Sequence, residues 1–222
     1  MQKFDTTAPV TTVIDIPAGR VQVIAADRTD TTVEIRPADP ARRRDTKAAE
    51  QIEVTHGDDG VLRITAPAAK NQYFGPAGSV EITVQLPTGS HVEATAAAAE
   101  FRAVGRLGDT VLEGAHGPVK IDEAASLRLT AADSDITVGR LAGPGRISTQ
   151  RGDIRIAEAV AGSVVLTTQM GNITVDTAAS AALDAGTSYG RIHNSLKNTE
   201  GSDAALTIRA TTAHGDITAR SL

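Results

Sequence analysis

From residue 92 onward the chain repeats itself, and a repeat of this kind leaves few folds open to it. Phe101, Val119, Ile136, Ile154, Ile173, Ile192 and Ile217 mark seven copies, with successive spacings of 18, 17, 18, 19, 19 and 25 residues. Two positions after each marker stand Ala103, Ile121, Val138, Ile156, Val175, Asn194 and Ala219. This period of two makes each copy a strand, with Asn194 its one polar inward member. Seven before each marker stand Ala94, Leu112, Leu129, Ile147, Leu166, Ala185 and Ala210, and nine before stand Val92, Thr110, Leu127, Gly145, Val164, Leu183 and Ile208. These form a second strand, in which Thr110 and Gly145 are weak members. The residue after each marker points outward: Arg102, Lys120, Thr137, Arg155, Thr174, His193 and Thr218.

Between the two strands every copy keeps a small residue two before the marker: Ala99, Gly117, Ser134, Gly152, Gly171, Gly190 or Gly215. A small residue there permits a tight bend. Five before the marker stand Ala96, Gly114, Ala131, Thr149, Thr168, Thr187 and Thr212. Two short strands and a bend in roughly 18 residues make a coil that pairs with the next at about 4.8 Å. The expected fold is an all-β parallel β-solenoid of about seven two-strand coils. An antiparallel sandwich also has short alternating strands at such intervals, but it has no need for a constant offset of seven. Stacked aliphatic columns explain how a chain with only five aromatics (Phe4, Tyr73, Phe74, Phe101 and Tyr189) can form a core.

Residues 1–91 read as a β-rich region, less regular, that covers one end of the solenoid formed by residues 92–222; the two are expected to make one continuous domain. "TTVIDIPAGRVQVIAA" gives two strands around Pro17-Ala18-Gly19, and Gly19-Arg20-Val21-Gln22-Val23 repeats the pattern of the later copies. Four more strands follow, two of them joined by a turn at Gly57-Asp58-Asp59-Gly60. One helix is expected in "DPARRRDTKAAEQ", with Asp39 as cap and Pro40 in the first helical position. Its Arg42-Arg43-Arg44 run reads as a solvated face beside Asp39, Asp45 and Glu50 rather than an anion site.

Taken together, "VIDIPAGRVQVIAAD", the "SVEITVQLP" strand and the serial "GDIRI", "GNITV", "GRIHN" and "GDITA" segments resemble the bacterial β-strand-repeat family of unknown function known as "putative adhesin". The resemblance covers nearly the whole chain. It implies this repeat fold and a surface or adhesive role.

The 22 Lys and Arg against 27 Asp and Glu leave a formal charge of −5, so the molecule as a whole repels nucleic acid and anionic lipid. With no cysteine, disulfides and thiolate metal sites are excluded. The opening "MQKFDTTAPV" lacks the apolar core of a signal peptide and no apolar run is long enough to span a bilayer, so a cytoplasmic location is expected.

Arg151-Gly152-Asp153 spells the tripeptide that integrins read, yet Gly152 and Asp153 occupy the slots filled elsewhere by Gly171-Asn172 and Gly215-Asp216. A bend is expected there, and no adhesion signal. A carbohydrate-active enzyme, hydrolase or lyase, would need clustered carboxylates. Asp133, Asp135 and Asp153 are the candidates on neighbouring coils, and Asp135 and Asp153 would stack near 5 Å apart. The competing role is as polar caps on tight turns, and short coils leave little loop for a cleft. His116 and His214 fill equivalent slots five copies apart, roughly 24 Å at one rung per copy, too far to share an ion. His56 and His91 lie outside the repeat. No cofactor, metal or catalytic residue is expected, and the reading is a non-enzymatic, rigid binding or assembly module, with the carbohydrate-active enzyme as alternative.

Two features bear on partners. The spacing of 25 between Ile192 and Ile217 inserts residues 195–203, "SLKNTEGSD", expected as a mobile surface loop that is either decoration or a contact site. The last copy ends at Ile217-Thr218-Ala219 with three residues to follow, so its rung is expected to be an open edge. Either Arg209 and Arg220 guard that edge, or two chains pair through it as a homo-oligomer.

Overall fold

The computed structural model describes residues 1–57, 59–67 and 78–222; Tyr73, Phe74 and Asp58 lie outside them. Strands β7 (His91–His116), β8 (Val119–Asp133), β9 (Ile136–Leu141), β10 (Gly145–Arg151), β11 (Ile154–Ala159), β12 (Gly162–Met170) and β13 (Ile173–Thr177) wind as a β-solenoid. Every pairing among them is parallel, which excludes the antiparallel sandwich. The register Phe101↔Val119↔Ile136↔Ile154↔Ile173 runs up one face, and Leu112↔Leu129↔Ile147↔Leu166 up the other. Inward columns thus stack like on like, and Val119, Ile136, Ile154, Ile173, Leu129, Ile147 and Leu166 are fully buried. Each such side chain contributes about 1.5–3 kcal/mol; among the described aromatics Phe101 is buried in this core and Phe4 packs, partly buried, against it. One slot departs from the expected offset: a register shift in β7 turns Gly114 out and puts Ala115 opposite Ala131 in the inward place.

At the far end the stacking order leaves the sequence order. β14 (Ala181–Tyr189) and β15 (Ile192–Ser195) are followed in the chain by β16 (Leu206–His214) and β17 (Ile217–Ser221), yet β16 and β17 lie inside them. β16 pairs with β12 and β14, as Leu166↔Ala210↔Ala185, and β17 with β13 and β15, as Ile173↔Ile217↔Ile192. The open edge is therefore β14 and β15, and the expected edge at Ile217-Thr218-Ala219 is corrected. Two local demands favour this order. Asn194 would be a partnerless amide in a closed aliphatic column, and the buried Asp176 needs the guanidinium that Arg220 brings opposite it. Arg220 binds Asp176 in a fork of 2.8 and 3.0 Å, and Arg209 binds Asp184 at 2.9 Å, so both arginines are ladder partners rather than edge guards.

Residues 195–203 belong to the crossover that this exchange requires. Leu196 packs against the core, the Lys197 N–H donates to Ser221 Oγ at 2.8 Å, and the Thr199 N–H donates to Ser180 Oγ at 3.1 Å. The segment is pinned to both neighbouring rungs and is not the free loop its polarity suggested. A short 3-10 turn at Gly201–Asp203 completes the return.

The other end is exchanged in the same way. β2 (Thr11–Ala26) is one continuous strand bent at Gly19, and it stacks on β7 as Thr12↔Val92, Ile14↔Ala94, Val21↔Phe101 and Val23↔Ala103. Its offsets are those of the later copies, so the ladder starts well before residue 92. β5 (Val61–Thr65) and β6 (Val80–Pro87) come later in the chain but lie outside β2, through Ile64↔Ile14 and Ile82↔Val21. At both ends, then, a segment is inserted between two rungs that are joined to the rest of the chain on both sides. That placement suppresses fraying.

Antiparallel strands finish this end. β3 (Asp30–Pro37) pairs with β6, β1 (Gln2–Asp5) with β3, and β4 (Glu53–His56) with β5. Helix α1 spans Arg43–Gln51, later than expected: the Asp39 side chain accepts from the Ala41 N–H at 2.9 Å and so braces the turn before the helix. Asp45 is only 2% exposed and accepts from the Ser79 N–H at 3.0 Å. It ties α1 to β6 and is no part of a solvated face.

Candidate functional site

The bends form one side of the rod. In the slot two before the marker, Gly152, Gly171 and Gly215 have φ of +119°, +153° and +147°, and a Cβ on any of them would strike the carbonyl oxygen of the rung beneath. Glycine is required there by conformation and by space. Gly152→Ala should therefore cost about 1–3 kcal/mol, read as a lowered melting midpoint. The threonine column answers the same carbonyls: Thr168 Oγ1 donates to Gly152 O at 3.2 Å, Thr212 Oγ1 to Gly171 O at 3.0 Å and Thr187 Oγ1 to Gly215 O at 3.0 Å.

A second ladder runs through the slot before the marker. The Asp153 N–H donates to Asp135 Oδ1 at 2.9 Å, Asn172 N–H to Asp153 Oδ1 at 2.7 Å, Asp216 N–H to Asn172 Oδ1 at 2.8 Å and Arg191 N–H to Asp216 Oδ1 at 2.8 Å. Each side chain satisfies an amide that the bend would leave unpaired. Of the three candidate carboxylates, Asp135 and Asp153 are ladder members and Asp133 is ion-paired with Arg151 at 3.1 Å. All three lie along the bend. The same contacts occupy both charged groups of Arg151-Gly152-Asp153, so the tripeptide is a rung of the bend.

His116 and His214 are four rungs apart rather than five, because β16 is stacked inside β14; that is still about 19 Å at one rung each. Among the described residues no group of three His, Asp or Glu could hold a metal ion. His214 stacks on Tyr189 instead, rings 4.9 Å apart and 5° from parallel.

The open end differs from the rest of the surface. Ile154 donates its N–H to Asn172 O, Ile173 to Asp216 O and Ile217 to Arg191 O, each at 2.9 Å. Among the described residues no rung follows to accept from Ile192. Tyr189 is 71% exposed, Met170 56% and Ile192 45%. Apart from Met1 and Leu222 at the chain ends, they are the exposed large apolar side chains among the described residues. Sequence reasoning missed this surface because the copy that carries it is not the last.

The family model for Toastrack DUF4097, a domain of unknown function, matches residues 12–221. The chain belongs to the Toastrack family. The match begins at β2, where the ladder itself begins. Solved structures similar to this Toastrack chain include a "putative adhesin" from Bacteroides fragilis, 15% identical over 98% of this chain and 95% of that one, with a TM-score of 0.43. Another is a "putative cell adhesion protein" from Clostridium sporogenes, 11% identical over 100% and 98%, with a TM-score of 0.41. No curated protein matches the Toastrack chain. None of its described helices is long and apolar enough to cross a membrane.

Proposed function

We propose that this chain is a non-enzymatic, rigid binding and assembly module that pairs with a second copy through its open end. In this reading residues 1–91 and 92–222 act as one continuous domain, closed at one end by β3, β1, β4 and α1 and open at the other. The observation that carries it is the outer side of β14 and β15, unpaired among the described residues and flanked by exposed Tyr189 and Ile192. A free edge with apolar neighbours is a template for another strand, and monomeric proteins guard such edges. A two-fold axis perpendicular to the rod sets end on end, reverses the strand direction across the contact and closes the assembly at two chains. The engagement of Asp133, Asp135 and Asp153 in ladders supports the non-enzymatic part.

Light scattering after size exclusion, over a dilution series, should show a dimer for the wild type. Ile192→Lys should give a monomer with an unchanged melting temperature, because a lysine at the edge needs water. A wild-type monomer at the highest concentration, or a dimer unaffected by Ile192→Lys, would refute the pairing.

A further inference from the structure

At several places on the rod, opposite charges are stacked on successive rungs. Arg140 sits between Glu123 at 3.7 Å and Glu158 at 3.1 Å, and Asp176 faces Arg220. On the face built by β8, β10, β12 and β16 the rule is broken. Arg128 and Arg146 are direct register partners, about one rung apart, and both are exposed. Among the described residues neither has a carboxylate oxygen within 4.0 Å. Like charges directly opposite each other destabilise a sheet.

The next residues in the column do not relieve the repulsion. Register places Val165 next in the column, and then Arg209, which Asp184 already neutralises. The outward residues beside these four are serine, threonine and proline; carboxylates enter on the preceding rung, where exposed Asp109 and Glu113 flank Val111, the register partner of Arg128, and Asp109 accepts from Ser126 Oγ at 2.6 Å. Arg128 and Arg146 line a shallow depression of about 450 Å³ with Ser126 and Ser163. The other stacked basic pair, Arg102 and Lys120, lies on the other face in a depression shared with the Arg20–Glu100 ion pair, 2.9 Å apart.

We propose that this face binds an acidic polysaccharide whose uronate carboxylates lie over Arg128 and Arg146. The guanidinium fork matches a carboxylate in two parallel hydrogen bonds, and the rows of serine and threonine hydroxyls match sugar hydroxyls on either side. A protein partner is disfavoured because the depression offers no aromatic anchor.

The test is calorimetric titration at low ionic strength with polygalacturonate, with methyl-esterified pectin as the neutral control and polyglutamate as the acidic peptide. Wild type should bind polygalacturonate in preference to both. Arg128→Gln/Arg146→Gln should weaken binding by about tenfold or more, since hydrogen bonds to charged groups are lost. The same variant should melt at or above the wild-type temperature, because a repulsion is removed. Arg102→Gln/Lys120→Gln should stay within about twofold of wild type, as those side chains lie on the other face. Arg128→Lys/Arg146→Lys keeps the charge without the fork and should fall between. Ile192→Lys should bind like wild type, so failure of end-to-end pairing leaves this result standing. No binding of polygalacturonate, tighter binding of polyglutamate, or equal loss in both double variants would overturn the proposal.

Discussion

Ile154→Asp is expected to cost about 3–5 kcal/mol, the range for a carboxylate buried without a partner. Ile154 is 1% exposed and its register partners, Ile136 and Ile173, are buried on either side, so no water or cation reaches the site. The effect should spread along the rod, because a solenoid core passes stability from rung to rung. The comparison is Thr137→Asp one rung away on the outward side, where Lys120 and Arg155 are the register neighbours and the cost should be near zero. Arg155 is a poorer comparison, since it lies 3.9 Å from buried Asp176. Urea unfolding of the two variants checks the assignment; equal losses would show that the inward and outward sides of this strand are misplaced.

The second large effect concerns the crossover. Replacing residues 196–205 with a short connection, such as residues 142–144 from a neighbouring copy, prevents β16 and β17 from reaching back past β14 and β15. The copies would then have to stack in sequence order. Exchanging Ile217 for Ile192, or Ile208 for Leu183, is nearly neutral. Burial of Asn194 where Ala219 now sits is not, and Asp176 would face Ser195 in place of Arg220. Removing the partner of a buried carboxylate costs a few kcal/mol. In a chain of this size each kcal/mol moves the melting temperature by about 2–4 °C, so a loss of about 10 °C is expected. An unchanged melting temperature would mean that the exchanged order carries no energetic preference.

Much of the site was legible in outline. The slot shared by Asp135, Asp153, Asn172 and Asp216 marked a recurring polar cap, and the recurring glycine beside it marked the bend. What could not be read was which groups remain unpaired. Arg128 and Arg146 are 18 residues apart, and their lack of a close carboxylate depends on the outward neighbours of every rung from β7 to β16. The burial of Asp45 was hidden for a similar reason, since its partner Ser79 lies 34 residues away on another element.

The inward and outward assignment of each strand, the bends and the parallel stacking follow from the sequence alone. They are set by residues within one copy: the period of two, the offset of seven and the small residue that lets a bend close. The order in which copies stack does not follow from it. Every copy offers the same inward columns at the same spacing, so Ile173 can receive Ile192 or Ile217 equally well by any local measure. Only the assembled structure decides, through side chains that meet across dozens of residues: Asp176 requires Arg220, Asn194 is excluded from a closed column, and a long connection permits the return. The same non-local choice puts β2 inside β5 and β6 and leaves β14 and β15 as the open edge.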